Sequence, residues 1–271
     1  MGHSFGIIAG SGDIPRFYIH ELKKRGDSCV VAAVKGEAPA GLSGEADVYA
    51  EFALQELNDL VSFLKSHQVE NVYLAGKIEH RRFFQKKSLD PRHLFLVRRL
   101  KEKGPQSLVR LFIDFLADRG ISTADPFPLL EPLFCSEGPQ GQVEPSPEVM
   151  ADMVFGWDKT RFLADQDIGQ TLIVKDGTVV AVEGMEGTDL AIQRAGKLAG
   201  AGCVAVKVIR THQDYRIDLP AVGAETARNL IEARFAGLCF EADRMPFFQR
   251  EEAVQMADRH GLALYARSRP D

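Results

Sequence analysis

Short apolar runs alternating with longer amphipathic stretches constrain this chain more than any other feature. Early in the chain, apolar runs at 5–9, 29–34 and 72–75 are separated by stretches of helical composition at 14–25 and 53–67. Parallel strands cannot be joined by a tight hairpin and need a crossover, usually a helix. The spacing therefore predicts a parallel sheet covered on both faces, with ligands at the carboxyl ends of its strands. In the first helix Phe17, Ile19 and Leu22 are the apolar positions, and Pro15 suits the first turn, where its missing N–H costs nothing.

Six of the thirteen prolines fall between 126 and 147, and proline denies that stretch regular hydrogen-bonded ladders. This divides the chain into a Rossmann-like N-terminal domain, 1–134, and a mixed α/β C-terminal domain, 143–271, with a linker at 135–142. Ser146-Pro147-Glu148 reads as a helix start, with Ser146 as the cap. Asp176-Gly177 between two apolar runs, 170–174 and 178–182, reads as a tight hairpin. Helices are predicted over 188–198, 224–235 and 250–260, and strands over 203–209, 238–241 and 262–265.

Composition excludes several classes. The longest strictly apolar run is six residues, 29–34, whereas a membrane-crossing helix takes about 20. The start of the chain runs directly into an apolar strand without the basic and apolar regions of a leader, which predicts a cytoplasmic protein. Cys29, Cys135, Cys203 and Cys239 lie far apart and form no C-x-x-C pair, so they read as reduced, buried thiols. Net charge is −5, yet 77–110 carries eleven Lys/Arg against three acids. Such a basic segment on an acidic protein is either a solvated helical face or a contact for an anionic partner. Few aromatics are interleaved with it, so nucleic acid fits poorly.

Three segments carry candidate chemistry. Gly10-Ser11-Gly12 joins a strand to a helix start, where free N–H groups and the helix dipole favour a phosphate; Gly76 and Lys77, after the 72–75 strand, belong to the same sheet edge. The third glycine of a dinucleotide fingerprint is replaced by Pro15, so that motif fails. A ligand-free βα turn is the competing reading. His212 to Pro220 is the densest polar cluster; if extended, Asp214, Arg216 and Asp218 line one side and Tyr215, Ile217 and Leu219 the other. Carboxylates flanking an arginine suit a hard cation bridging to a phosphate, or form a structural salt-bridged loop. The third segment, Glu183 through Asp189, opens a helix with more carboxylates than a cap requires.

Six segments in order resemble a known family: Phe5-Gly-Ile-Ile-Ala-Gly-Ser-Gly-Asp-Ile-Pro15, Leu74-Ala-Gly-Lys77, Asp167-Ile-Gly-Gln170, Val180-Ala-Val-Glu-Gly-Met-Glu-Gly-Thr-Asp189, Gln213-Asp-Tyr-Arg-Ile-Asp-Leu-Pro-Ala-Val-Gly223 and Ala236-Gly-Leu-Cys-Phe-Glu-Ala242. Together they resemble the UDP-2,3-diacylglucosamine pyrophosphatases of lipid A synthesis in Gram-negative bacteria, in the type unrelated to calcineurin-like phosphoesterases. The resemblance implies metal-dependent hydrolysis, with Mg2+ or another divalent cation such as Mn2+, of UDP-2,3-diacylglucosamine to 2,3-diacylglucosamine 1-phosphate (lipid X) and UMP. Water would attack the phosphorus on the sugar side, and the ligand would lie in a cleft between the domains.

Carried onto this chain, the resemblance makes Asp218, Asp214 and Arg216 catalytic, and Asp218, Asp214 and Asp189 metal ligands. Gly10, Ser11, Gly12, Gly76, Lys77, Gln170, Glu186, Gly187, Thr188, Asp189, Lys207 and Gln213 would bind substrate. It also gives the basic stretch a use: peripheral contact with the cytoplasmic face of the inner membrane, where Leu94, Phe95, Leu96 and Leu100 among Arg98, Arg99 and Lys101 make an amphipathic element. A homodimer is expected as well. Two other classes remain at this point: a non-hydrolytic nucleotide-binding regulatory protein using the glycine turn alone, and an NAD(P)-dependent oxidoreductase with an atypical glycine loop.

Overall fold

The computed structural model describes residues 3–76 and 105–269. The chain divides into two units, 1–129 with 214–218, and 130–213 with 219–271.

The first unit holds a five-stranded parallel sheet of order β3-β2-β1-β4-β5, built from β1 (Ser4–Ala9), β2 (Ser28–Val34), β3 (Val48–Phe52), β4 (Asn71–Ala75) and β5 (Ser122–Thr123). Helices α1 (Ile14–Lys24), α2 (Leu57–Ser66), α3 (Pro105–Ala117) and α4 (Phe127–Leu130) belong to it or to its end. Strand alternation sends successive side chains to opposite faces. Val30 and Val72 meet Leu60, Val61 and Leu64 of α2 and Phe115 and Leu116 of α3. On the other face the Cys29 thiol lies 3.8 Å from the Ile19 carbonyl of α1, and the Tyr73 ring packs edge-on to Tyr18 at 5.7 Å. The expected parallel sheet, covered on both faces, is therefore present. Tyr18 rather than Phe17 is the buried aromatic of α1, and that burial pushes its hydroxyl pKa well above the usual value.

The second unit contains a six-stranded mixed sheet of order β6-β13-β11-β9-β7-β8. Its members are β6 (Gly138–Pro139), β7 (Thr171–Lys175), β8 (Thr178–Val182), β9 (Val204–Lys207), β11 (Gly237–Glu241) and β13 (Ala263–Arg267). Strands β9, β11 and β13 are mutually parallel; β7 runs against β9, β8 against β7, and β6 against β13. A separate two-stranded pair joins β10 (Val222–Gly223) to β12 (Phe247–Phe248). Helix α5 (Pro147–Asp165) lays Met153, Trp157 and Ala164 on Val204, Val206 and Cys239. Helices α6 (Thr188–Ala199), α7 (Ala224–Glu232) and α8 (Arg250–His260) bury mainly alanines and isolated large aliphatics.

The Ser146 hydroxyl accepts the Val149 N–H at 3.3 Å, so the predicted cap of α5 forms. The proline stretch, however, is not devoid of regular structure. Pro128 and Pro147 sit in first helical turns, and Pro139 lies in β6 at the sheet edge; these are positions where a missing N–H breaks no ladder. All four cysteines are free and buried, which pushes the Cys29 thiol up to about 11 and Cys239 to about 12. Among the described residues no helix is long and apolar enough to cross a membrane.

Asp176 and Gly177 both take positive φ, 50° and 69°, as the predicted hairpin turn requires. The Asp152 carboxylate of α5 accepts both turn N–H groups, at 2.9 and 2.7 Å, and is 7% exposed. Asp152→Ala leaves two donors without their acceptor and is expected to cost about 1–3 kcal/mol in denaturant unfolding with an unchanged far-UV spectrum. A loss below about 0.5 kcal/mol, the level of an ordinary surface change, contradicts this role.

Candidate active site

In the first unit the strand order reverses at β1 and β4, and the two strands end side by side. The Gly10 N–H donates to the Ala75 carbonyl at 2.7 Å, which draws the turns after β1 and β4 together. Gly76 has φ +88°, and a Cβ there would stand 2.3 Å from the Ser11 carbonyl oxygen, so only glycine fits. Gly12 likewise takes φ +91°. Helix α1 follows with Pro15 in its first turn, and the Asp13 side chain makes no capping hydrogen bond. Its first N–H groups are thus left uncapped by Asp13 at the switch point of a parallel sheet, where anions are commonly bound. Gly10, Ser11, Gly12 and Gly76 are thus neighbours; Lys77 lies outside the described residues, as do the apolar positions of the proposed membrane element.

The 214–218 segment is a turn, not an extended strand. The Asp214 carbonyl accepts from Ile217 N–H at 3.1 Å and Asp218 N–H at 3.2 Å, so the predicted alternation of faces does not apply. Asp214 and Arg216 pair with each other instead of flanking an empty site. One carboxylate oxygen accepts the Arg216 backbone N–H at 3.1 Å and Nε at 2.9 Å, and the other accepts Nη2 at 2.8 Å. This local fork is the Asx-type turn that short acidic side chains favour, closed by a bidentate guanidinium. The Arg216 hydrogen bonds hold the Asp214 carboxyl below its ordinary value despite partial burial. The Tyr215 ring meets Phe127 edge-on at 5.3 Å, and Asp218 is half-buried.

In the second unit the polar cluster gathers at the start of α6. Thr171 and Lys207 are direct partners across β7 and β9. The Lys207 ammonium donates to the Thr188 hydroxyl at 3.0 Å, which donates in turn to Glu183 Oε1 at 2.9 Å; Thr171 Oγ1 lies 3.4 Å from the same hydroxyl. Lys207 and Gln170 are buried, at 9% and 8% exposure. The second Glu183 oxygen is buried with no hydrogen-bond partner. Such an oxygen, next to a helix N-terminus and an ammonium, suits a ligand that brings its own donor or cation.

Other expected positions are engaged differently. Glu186 pairs with Arg194, Asp189 accepts from Asn229 Nδ2 at 2.8 Å, and Gln213 Oε1 accepts the Arg210 N–H at 3.4 Å. Gly187 supplies the positive φ before α6. Thr171 was not among the residues expected from sequence; a threonine opening a strand carries no signal until its cross-strand partner is known. Among the described residues no three His, Cys, Asp or Glu side chains are grouped to hold a metal ion. Mg2+ is commonly held by one or two carboxylates with the rest of its shell from water and substrate phosphate, and the open Glu183 oxygen fits that lesser demand.

The family model for the LpxI N-terminal domain matches residues 4–133, and that for the LpxI C-terminal domain matches 136–265. The chain belongs to the LpxI family. A curated LpxI relative, the UDP-2,3-diacylglucosamine pyrophosphatase LpxI of Caulobacter vibrioides, is 30% identical over 95% of each chain. Among solved structures, the biotin carboxylase domain of a thermophilic 2-oxoglutarate carboxylase bound to ADP is 11% identical, covering 68% of this chain and 36% of that one, with a TM-score of 0.28. A biotin carboxylase complex from Campylobacter jejuni is 12% identical, covering 72% and 42%, with the same TM-score. The chain spans less than half the length of these carboxylases, and a likeness at that score adds nothing to the LpxI assignment.

Because Asp214 has its pKa lowered chiefly by Arg216, the stability the pair contributes is present above the ordinary carboxylate range and is lost as pH falls through the lowered value. The stability difference between wild type and Arg216→Gln is expected to be largest above about pH 5 and to shrink on acidification. In a carbon NMR titration the Asp214 carboxyl moves up toward its ordinary value in the variant. A titration identical in both proteins contradicts the fork.

Proposed function

We propose that this chain hydrolyses the diphosphate of UDP-2,3-diacylglucosamine, releasing 2,3-diacylglucosamine 1-phosphate and UMP in lipid A synthesis. The observation that carries this reading is the LpxI match over both domains, joined to the glycine turns and the Thr188 cluster that this chain builds at its strand ends. Phosphoanhydride hydrolysis needs neutralised phosphoryl oxygens and an oriented water, and usually a divalent cation. Lys207 and the N-terminus of α6 supply positive potential, and the N–H groups following Gly10 supply neutral donors.

In this proposal Asp218 orients the water and accepts its proton. The water oxygen bonds to the sugar-side phosphorus, the P–O bond to the bridging oxygen breaks, and UMP departs. Glu183 is the carboxylate that would hold Mg2+ or Mn2+, and the cation would supply charge neutralisation on the phosphates. The basic 77–110 segment would bring the enzyme peripherally to the anionic inner-membrane surface on its cytoplasmic face, where a lipid-anchored substrate resides. A homodimer is part of the same proposal.

Incubating the purified protein with UDP-2,3-diacylglucosamine and Mg2+ is expected to release UMP and the lipid monophosphate in equal amounts. Asp218→Ala is expected to lower the rate by about 10²–10⁴-fold, the scale of a lost proton acceptor, and EDTA to stop it. No UMP, or an unchanged rate in Asp218→Ala, overturns the reading. Turnover that ignores EDTA removes the metal from it.

A further inference from the structure

The segment from Ala236 to Ala242 contributes nothing to the glycine turns or the Thr188 cluster, yet it holds the fully buried Glu241. Glu241 closes β11 at 0% exposure, where a carboxylate persists only with compensating partners. Pairing between β9 and β11 stops at Lys207 opposite Phe240, whereas β11 continues along β13 through the Ala242 N–H to the Arg267 carbonyl at 2.9 Å. Strand β9 leaves the sheet there. The Val208 N–H is taken by the Gln170 carbonyl at 3.0 Å, and the Ile209 N–H by Glu241 Oε2 at 3.1 Å. The side chain thus replaces the backbone acceptor that the ladder no longer provides.

The same point is gripped from other directions. Arg161 donates to the Ile209 carbonyl through Nη1 and stands 2.8 Å from Glu241 Oε2 through Nη2. Arg269 Nη2 lies 3.2 Å from Glu241 Oε1 and 3.4 Å from the Arg210 carbonyl. One turn beyond Arg161, Asp165 accepts the Thr211 N–H and hydroxyl, each at 2.7 Å, and Arg210 pairs with Asp167 at 2.6 Å. At the far end of the loop Val222 and Gly223 are fixed on Phe247 and Phe248. Apolar side chains of similar volume generally stabilise a buried site as well as an ion network does, so directional bonds to consecutive backbone groups have their main consequence in geometry.

We infer that Glu241, clamped between Arg161 and Arg269, is a positioning residue for the proposed hydrolysis: it fixes the root of the loop that carries Asp214, Arg216 and Asp218. This rests on the functional reading above and adds to it a residue that touches no substrate. Loosening the root displaces Asp218 from its water, and misplacements near 1 Å cost about 10²-fold in rate.

Steady-state hydrolysis of UDP-2,3-diacylglucosamine by wild type, Glu241→Gln, Arg161→Lys and Asp165→Ala tests it, each assayed well below its unfolding midpoint. The expected result is a kcat lowered by about 10–100-fold with KM within about twofold of wild type, together with faster amide exchange at Ile209 and Thr211. Arg161→Lys keeps the charge but not the two-pronged geometry. Asp165→Ala alters a more exposed pair, so it keeps the test decisive should Glu241→Gln not fold. Folded variants with wild-type kcat and only a lowered midpoint overturn the inference while leaving the functional reading intact. A wild type that releases no UMP overturns both.

Discussion

Parallel strands must return through crossovers, so every strand in a parallel set ends at the same edge, and the loops leaving those ends are forced into company. In the first unit this brings the turn after β1 against the turn after β4, close enough that only a glycine at 76 avoids the Ser11 carbonyl. In the second unit the same rule places the ends of β9, β11 and β13 together, and with them Lys207, Glu241 and Arg267. The antiparallel strand β7 enters beside β9 at that edge, which is why Thr171 at its beginning meets Lys207 at the end of β9.

The second unit manages charge at its edge in two ways. Lys207 is nearly buried and keeps its ammonium in a hydroxyl and carboxylate chain, Thr188 to Glu183, that leaves one carboxylate oxygen open. Glu241 is fully enclosed, and its charge is matched by two arginines and a backbone N–H. In the first unit the Asp214–Arg216 fork shapes its own turn.

Much of the fold was legible because it rests on strong local signals. The apolar runs of β1, β2 and β4 are buried central strands, and the 250–260 helix has the bounds its pattern indicates. Strand β3 was not legible: it is a partly exposed edge strand, so Val48–Phe52 alternates weakly and includes a glutamate. The two-residue strands β5, β10 and β12 depend on a distant partner and have no period of their own. For the candidate site, Gly10–Gly12, Gly76 and Thr188 were readable from turn and helix-start chemistry and from family motifs. The extended reading of 212–220 failed because an aspartate two residues before an arginine bonds locally and bends the chain, a competition that alternation arguments do not weigh. The network around Glu241 joins α5, β11 and the chain after β13, separations that no local pattern reveals.

At the centre of this account is a water-driven cleavage at one defined phosphorus of a lipid-linked nucleotide diphosphate. Single turnover in ¹⁸O-labelled water, followed by mass spectrometry of both products, reads it directly. The account predicts one labelled oxygen in the phosphate of 2,3-diacylglucosamine 1-phosphate and none in UMP; label in UMP, or substrate recovered intact, contradicts it.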